Sequence, residues 1–330
     1  MSPRPTWHPD RLAARLPFLR RRALLTQATR AFFLARGYTE VETPYAVPTP
    51  GEEVHLRAFA TTREATDGTP HALWLHTSPE FAMKKLLAAG AGPIFQLARV
   101  WRNGEGSDLH AAEFTMLEWY HPGATMDDLI AETHALLRAV LPRTVACRGI
   151  HTSLDGYDRV TMTEAFHRHV GADLLATADD ATALAAAARA TLRTAETWED
   201  LFFRLLLERI EPHLGRARPT FLTYWPAAQA ALARRDPTDP RVAERFELFV
   251  CGIELANAFV ELTDAAEQRA RFETDRAQRR ALGGQDWPMD EDLLAALTHG
   301  LPPCAGIALG FDRLAMIAAG ADRIDQVMWP

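Results

Sequence analysis

Apolar residues near the beginning of the chain recur every three to four positions, at Leu12, Leu16 and Leu19. This period is typical of a helix that buries one face, so it predicts an amphipathic helix over residues 10–36. Gly37 follows directly and is a common residue at the end of a helix. The pattern therefore predicts a long helix that packs against the rest of the protein through one side.

Two later segments, residues 94–102 and 113–121, are rich in aromatic and β-branched residues and are separated by a glycine-bearing loop. This pattern predicts a β-hairpin. Side chains alternate between the faces of a strand, so one face of the second strand carries Phe114, Met116, Glu118 and Tyr120. A face that combines a carboxylate, a phenol and an aromatic ring predicts the floor of a pocket rather than a plain core face.

The order of the predicted elements indicates the fold class. Residues 220–262 are strand-like, and a strand of small residues over 305–310 leads into a helix over 311–319. Strands and helices do not alternate strictly, so we expect an α+β fold with a mainly antiparallel sheet flanked by helices. The alanine-rich residues 181–195 predict a helix within a possible helical insertion at about 142–200.

Composition limits the setting and the partners of the protein. The 330 residues are 48% hydrophobic and 24% charged, which is typical of a soluble globular protein. The net charge of −7 argues weakly against non-specific nucleic-acid binding, which depends on cation–phosphate contacts. The three cysteines form no CxxC pair, and no apolar run approaches a membrane span. We therefore expect a cytoplasmic protein without a membrane segment.

The sequence contains no P-loop pattern and no complete GxGxxG. Two arginines nevertheless lie at positions where a phosphate could be bound. Arg102 ends an apolar strand and is either a surface residue or a phosphate ligand beside the ring of Phe114. An arginine fork suits phosphate because it makes two parallel charge-assisted hydrogen bonds. Arg313 lies in the first turn of a helix, where the dipole disfavours a cation. Either a negative ligand lies nearby, or Arg313 pairs with an acid such as Asp312.

Three glutamates, Glu247, Glu254 and Glu261, are spaced seven residues apart within an apolar stretch. Residues seven apart share one side of a helix, which is one interpretation. Gly252 interrupts the stretch and favours the alternative of two paired strands joined by a turn or bulge. Carboxylates in apolar surroundings need a cation. The oxygen ligands suit Mg²⁺ shared with a polyphosphate, or a substrate ammonium group.

Two groups of arginines lie in segments with helical patterns. The first group is Arg20, Arg21 and Arg22, and the second is Arg276, Arg279 and Arg280. Either group could form a docking surface for an acidic partner. A solvated helix face is the favoured interpretation of both.

Several segments together resemble the catalytic domain of class II aminoacyl-tRNA synthetases. YTEVETPYAVPTPG resembles the first class-defining motif, FQLARVWRN with HAAEFTMLEWY the second, and GIALGFDRL the third. LHTSPEFAMKKLL and ELFVCGIELANAFVELTDAAEQ resemble the lysine branch of the class. The resemblance implies that residues 1–330 form a single catalytic domain that uses ATP and Mg²⁺ and forms a homodimer.

The resemblance also implies roles for individual residues. Arg102, Glu254 and Arg313 would be catalytic, with Arg102 on the α-phosphate and Arg313 stacking adenine against Phe114. The ATP contacts would be Arg102, Asn103, Phe114, Glu254, Leu255, Gly310 and Arg313. The Mg²⁺ ligands would be Glu247 and Glu254. The amino-acid contacts would be Ser78, Pro79, Glu80, Tyr120, Glu261 and Ala308.

Two features resemble one truncated branch, the elongation factor P–(R)-β-lysine ligases. Only 43 residues precede Pro44 of the first motif, which leaves no room for an anticodon-binding domain, and Ala308 replaces a glycine of tRNA-charging relatives. This branch implies activation of (R)-β-lysine as an adenylate and its transfer to the ε-amino group of a lysine on elongation factor P. The remaining alternatives are an α-lysine-activating enzyme with a tRNA or other acceptor, and a non-catalytic regulatory paralogue.

The loop of the second motif departs from the family pattern at two positions. Gly104 replaces a glutamate and Ala111 an asparagine, and both changes lie in the loop expected to contact adenine. Glu105 could substitute after a small loop shift, and a backbone contact at position 111 would survive. Otherwise we expect weaker ATP binding.

Overall fold

The structure, a computed structural model, describes residue 5 and residues 7–329. The α-helices of these residues are α1 (Pro9–Leu34), α2 (Glu80–Ala88), α3 (Met126–Val140), α4 (Met162–His169), α5 (Ala181–Ala187), α6 (Trp198–Leu205), α7 (Ala265–Ala281), α8 (Glu291–Gly300) and α9 (Phe311–Ala319). The strands are β1 (Thr39–Glu40), β2 (Ala46–Val47), β3 (Phe59–Glu64), β4 (Pro70–Leu75), β5 (Ile94–Trp101), β6 (Glu113–Pro122), β7 (Thr144–Cys147), β8 (Ile150–Ser153), β9 (Asp158–Thr161), β10 (Thr220–Pro226), β11 (Val242–Val250), β12 (Ile253–Val260) and β13 (Cys304–Gly310). The chain divides into two compact units, and the second unit is the continuous segment Pro142–Phe259.

The first unit contains the predicted hairpin. Strands β1, β5, β6 and β13 are hydrogen-bonded neighbours in that order. The β1–β5 pair is parallel, whereas β5–β6 and β6–β13 are antiparallel. Helix α1 packs against α3 and α9, and α2 packs against α8. The mainly antiparallel α+β fold is therefore confirmed.

The second unit contains β12, β11, β10 and β9 as hydrogen-bonded neighbours, antiparallel except for β9 with β10. Residues 142–200 contribute short strands as well as helices to this unit. The helix predicted over 181–195 is too long, because α5 ends at Ala187 and Arg189 has a positive φ of 48°. The assignment of the whole chain to one catalytic domain stays a prediction.

Helix α1 confirms the amphipathic pattern, although it ends at Leu34, before the predicted residue 36. Leu19 and Phe33 are fully buried. The Phe33 ring lies 4.8 Å from that of Phe95 in β5 and 5.1 Å from that of Trp119 in β6. Helix α1 therefore covers one face of the hairpin. Among the described residues, no helix combines the length and apolar character needed to cross a membrane.

The other face of the hairpin continues onto β13. The residue pairs across β13 and β6 include Gly306–Tyr120, Ala308–Glu118 and Gly310–Met116. Small side chains therefore stand opposite large ones on this face. Gly306 lets the Tyr120 ring lie close to β13, and Glu118 and Tyr120 are both buried on this face. The pocket floor expected from the alternation of β6 stays a prediction.

Two of the clustered arginines form buried ion pairs. Arg22 donates to Asp312 at the start of α9, and its Nη2 donates to Thr115 Oγ1 at 2.9 Å. Arg279 is 1% exposed, and its Nη2 lies 2.9 Å from Glu52 Oε2. Both interpretations, a docking surface for an acidic partner and a solvated helix face, are wrong for these two residues because both are buried. Each guanidinium neutralises a buried carboxylate, which would be costly to leave alone.

We expect Arg22→Lys to lower the free energy of unfolding by about 2 kcal/mol in urea titrations. A lysine ammonium lacks the planar fork that reaches both Asp312 and Thr115. Arg30→Lys on the same helix is the matched control, because Arg30 forms an exposed pair with Glu40. Arg30→Lys should change the free energy of unfolding by no more than about 0.5 kcal/mol. Equal effects of the two substitutions would contradict the buried-pair argument.

Candidate active site

A buried lysine joins two carboxylates of the predicted amino-acid site. Lys84 lies one turn after Glu80 in α2, and its Nζ is 2.6 Å from both Glu80 Oε1 and Glu261 Oε2. The Lys84 and Glu261 side chains are 3% and 1% exposed. Burial opposes the charge of Lys84, but the two carboxylates raise its pKa overall. Burial raises the pKa of Glu261 to about 7, and Lys84 opposes this rise.

Glu118 adds a third carboxylate to this cluster. Its Oε2 accepts a hydrogen bond of 2.8 Å from Ser78 Oγ, and its Oε1 accepts one of 2.6 Å from Tyr120. Burial and the charge of Glu80 raise the pKa of Glu118 to about 8, although both hydrogen bonds favour its ionised form. Burial and the neighbouring carboxylates also raise the pKa of Tyr120. A cation entering this cluster would stabilise its negative charges.

The Ser78–Pro79 segment sets the start of α2. Pro79 is buried and directly precedes the first helical residue, Glu80. Ser78 Oγ accepts a hydrogen bond of 3.0 Å from the Glu80 backbone N–H. The same hydroxyl therefore fixes the beginning of the helix and binds Glu118. This local geometry brings the predicted residues Ser78, Pro79 and Glu80 to the carboxylate cluster.

Gly306 allows the cluster to lie against β13. A Cβ atom at this position would lie 2.2 Å from Tyr120 Cε1 and 2.6 Å from Glu261 Oε1. Any larger residue would therefore overlap the ring and the carboxylate. Glycine in a strand interior often marks such a close approach.

Ala308 and Gly310 occupy the next two positions on the same face. Ala308 pairs with Glu118 and packs in a small apolar cluster that includes Met116 and Phe114. Its methyl group therefore lies between the carboxylate and the apolar part of the face. Gly310 ends β13 directly before α9.

Arg102 lies over the ring of Phe114 at the open end of the hairpin. Its Cζ is 5.2 Å from the ring centroid, within the range of a cation–π interaction. Its Nε is buried and has no hydrogen-bond partner among the described residues. Asn103 follows with an exposed side chain, and its backbone N–H donates to the Arg57 carbonyl at 2.7 Å. The structure thus brings Arg102 and Phe114 together, while the stacking of adenine between Phe114 and Arg313 stays a prediction.

Arg313 lies in the first turn of α9, as predicted. Its Nη2 is 2.6 Å from His110 Nε2, and its Nε donates to the Leu109 carbonyl at 3.3 Å. Asp312, the neighbouring acid, is buried and binds Arg22. The loop between β5 and β6 therefore holds the Arg313 guanidinium through residues 109 and 110.

The same loop carries the two departures from the family pattern. Gly104 has a φ of 85°, a left-handed conformation that glycine adopts without strain. A glutamate at this position would be strained in this loop conformation. Glu105 and Ala111 are half-buried. The effect of these departures on ATP binding stays a prediction.

The predicted metal ligands Glu247 and Glu254 lie in the second unit, on the paired strands β11 and β12. The turn between these strands includes Gly252, with a φ of 70°, so the helix interpretation is wrong. Burial and the charge of Glu254 raise the pKa of Glu247 to about 8, although Arg245 Nη2 lies 2.8 Å from its Oε1. Leu255 is 1% exposed. Among the described residues, no group of three or more His, Cys, Asp or Glu side chains is arranged to hold a metal.

Comparison with known proteins places the chain in a family. The family model "tRNA synthetases class II (D, K and N)" matches residues 13–329. An elongation factor P–(R)-β-lysine ligase of Klebsiella pneumoniae subsp. pneumoniae is 46% identical over 99% of this chain and 98% of the relative. Proteins of that name from Hamiltonella defensa and Sodalis glossinidius are 43% and 44% identical with the same coverage. The chain belongs to the elongation factor P–(R)-β-lysine ligase family. This confirms the class and branch that the motif-like segments resemble.

The structure of this ligase-family member also shows residues that the sequence reasoning missed. The sequence pattern placed Glu118 on the pocket face without a role, and it indicated no role for Lys84 or Gly306. The spacing of Glu80 and Lys84 was an available signal, because residues four apart face each other on a helix. The roles of individual site residues stay predictions.

Proposed function

We propose that this protein activates (R)-β-lysine with ATP as an adenylate and transfers it to the ε-amino group of a lysine on elongation factor P. The observation that carries the proposal is the 43–46% identity, over nearly the whole chain, to relatives named for this reaction. The buried cluster of Glu80, Glu118 and Glu261 supports a substrate with ammonium groups, because buried carboxylates need cations.

The chemistry follows from charge and position. In the first step a carboxylate oxygen of the amino acid attacks the α-phosphorus of ATP, and the bond to pyrophosphate breaks. Arg102 stabilises the negative charge that develops on the α-phosphate. In the second step the acceptor amine attacks the adenylate carbonyl, loses a proton, and AMP leaves. The rate comes from positioning and electrostatics, without a covalent intermediate on the protein.

The donor set of Glu247 and Glu254 fits Mg²⁺, which prefers carboxylate and phosphate oxygens. Their mutual repulsion contributes to the raised pKa of Glu247, and a divalent cation would relieve it. We include ATP and Mg²⁺ in the proposal on this basis. When bound, Mg²⁺ would neutralise phosphate charge.

The protein partners are also part of the proposal. The acceptor is elongation factor P rather than tRNA, and the net charge of −7 supports a non-nucleic-acid acceptor weakly. The segment from Tyr38 to Gly51 resembles the dimer-forming motif, which supports a homodimer. The composition of the chain supports a cytoplasmic location.

ATP–pyrophosphate exchange with (R)-β-lysine and with α-lysine tests the first step. Mass spectrometry of elongation factor P tests the second, with an expected increase of one lysyl residue. Exchange with neither amino acid would exclude both enzyme hypotheses and favour the regulatory alternative. Exchange with α-lysine alone, without modification of elongation factor P, would favour the α-lysine alternative.

We expect Ala308→Gly to shift substrate preference toward α-lysine. The methyl group of Ala308 lies opposite Glu118, and its removal enlarges the site beside that carboxylate. One methyl group in a pocket typically changes discrimination about ten-fold or more. The ratio of kcat/KM for α-lysine to that for (R)-β-lysine measures the effect. Ala305→Gly on the same strand pairs with His121 on the other face and is the control. An unchanged ratio in Ala308→Gly would exclude this specificity argument.

A further inference from the structure

Lys84 is an unusual residue in an acidic substrate site because it is itself a cation. Its side chain is 3% exposed, and lysine is almost never buried so deeply unless it is paired. Its Nζ bridges Glu80 on its own helix and Glu261, which follows β12. These two residues are the predicted contacts of the substrate ammonium groups.

We propose that Lys84 is a positioning residue that orients Glu80 and Glu261, and favours the charge of Glu261, so that they receive the ammonium groups of (R)-β-lysine. This inference rests on the proposed function, since it assigns the same carboxylates to the same substrate. Lys84 is not expected to contact the reacting atoms.

The geometry around Glu261 supports the orienting role. Lys84 binds Oε2 of this carboxylate. Both oxygens are buried, and apart from the 2.6 Å ion pair of Oε2 with Lys84 neither has a hydrogen-bond partner among the described residues; Oε1 lies beside Gly306 and Tyr120. A buried carboxylate oxygen without a partner is a costly arrangement unless a ligand supplies the missing donor. Lys84 therefore neutralises Glu261 from the Oε2 side, and we assign Oε1, which lies against Gly306 of β13, to a substrate ammonium.

The charge balance supports the same role. Glu80, Glu118 and Glu261 carry three negative charges when ionised, and Lys84 carries one positive charge, which leaves −2. Burial favours the protonated forms of Glu118 and Glu261, so the full charge develops only when a cation enters, and the two ammonium groups of a diamino acid would balance it. Without Lys84 the cluster would hold three uncompensated carboxylates, and at least one would bind a proton instead.

The titratable groups around Lys84 come from four segments. They are Glu80, Glu118, Tyr120, Glu261 and Cys304. Beyond these, burial and the charge of Glu80 raise the pKa of the Glu53 carboxyl, and Arg102 opposes this rise. Burial and Glu261 raise the pKa of Cys304, and the pKa of Tyr120 is also raised. Both groups are therefore uncharged near neutral pH, so the carboxylates carry the pH dependence. Lys84 favours the ionised form of Glu261, and removing it should raise the pKa of that carboxyl.

Lys84→Met tests the proposal in the full-length enzyme through ATP–pyrophosphate exchange. We expect the KM for (R)-β-lysine at pH 7 to rise about ten-fold, while the KM for ATP stays unchanged. The acid limb of kcat/KM for (R)-β-lysine should move about one unit to higher pH, because protonated Glu261 no longer attracts an ammonium. A folded Lys84→Met enzyme with the wild-type KM and pH profile would overturn the proposal.

Lys84→Gln and Lys84→Arg separate charge from packing. Glutamine keeps a buried hydrogen-bond donor without the charge, so Lys84→Gln should show the same shift of the acid limb as Lys84→Met. Lys84→Gln also replaces Lys84→Met as the test if the methionine variant does not fold. Arginine keeps the charge, and its acid limb should stay close to wild type. An acid limb shifted as far in Lys84→Arg as in Lys84→Gln would overturn the proposal.

Lys85→Met is the matched control on the next residue. Lys85 pairs with Asp290 at 2.7 Å, outside the carboxylate cluster, so its loss should leave the KM and the pH profile unchanged. Failure of the proposed function can be distinguished from failure of the Lys84 proposal, because the wild-type enzyme would then show no exchange with (R)-β-lysine. If the wild type exchanges and only the effect of Lys84 is missing, the positioning role alone is wrong.

Discussion

Arg102→Ala should lower ATP–pyrophosphate exchange about a thousand-fold at saturating ATP and (R)-β-lysine. The guanidinium lies over the Phe114 ring, and its buried Nε has no hydrogen-bond partner among the described residues. It is therefore available to bind phosphate oxygen with a charge-assisted hydrogen bond. This bond strengthens as charge develops on the α-phosphate, so its loss should lower kcat as well as ATP binding. Thermal unfolding should show that the variant is folded.

Arg99→Ala is the control for this prediction. Arg99 lies three residues earlier on β5 and pairs with Thr115 on the face opposite to Phe114. Its guanidinium is part-exposed and lies 3.9 Å from Glu113. We expect the ATP–pyrophosphate exchange rate of the Arg99→Ala enzyme to stay within about three-fold of wild type. If Arg102→Ala retained exchange at the level of Arg99→Ala, the phosphate-binding role of Arg102 would be excluded.

Local patterns in the sequence predicted the elements that carry this site. The hairpin of β5 and β6 lies where the aromatic and β-branched segments predicted it. Helix α9 begins where the strand of small residues gives way to a helical pattern. These predictions succeeded because strand alternation and helix starts depend on neighbouring residues. The α5 prediction failed because alanine favours a helix but does not fix its end, whereas the left-handed residue Arg189 does.

The spacing of Glu247 and Glu254 shows where a pattern is ambiguous. A spacing of seven residues places two side chains on the same side of a helix. The same spacing also fits two residues on neighbouring strands that are joined by a turn. Gly252 decided between the two structures, because its φ of 70° suits a tight turn. The chemical conclusion, that these carboxylates need a cation, did not depend on that choice.

Contacts between distant parts of the chain could not be predicted. Arg22 and Asp312 are far apart in the sequence, and a run of three arginines is usually solvated. The pairing of Lys84 with Glu261 likewise joins residues that are far apart in the sequence. Nothing in either local sequence distinguishes a buried cation from an exposed one. The resemblance to the synthetases implied Glu80 and Glu261 as substrate contacts, and the structure shows that the Lys84 ammonium lies between them.

Gly306→Ala should abolish activation of (R)-β-lysine, with a fall in kcat/KM of at least about a hundred-fold. The added Cβ would lie 2.2 Å from Tyr120 Cε1 and 2.6 Å from Glu261 Oε1, distances that no folded protein tolerates without movement. The ring and the carboxylate would have to move away from β13, into the space that the substrate ammonium would occupy. The KM for (R)-β-lysine should therefore rise much more than the KM for ATP, since the arginines that would bind ATP lie outside this strand, after β5 and in α9.

Gly156→Ala is the matched control, because the added methyl group would meet only Arg218 Nη1, at an ordinary contact distance of 3.9 Å. It should leave both KM values close to wild type. Thermal unfolding separates a displaced site from general destabilisation, because overpacking alone costs about 1–3 kcal/mol and would not single out one substrate. Equal losses for ATP and (R)-β-lysine in Gly306→Ala would show that the strand, rather than the ammonium site, is disturbed. Wild-type kinetics in a folded Gly306→Ala enzyme would exclude the ammonium site beside Tyr120 and Glu261.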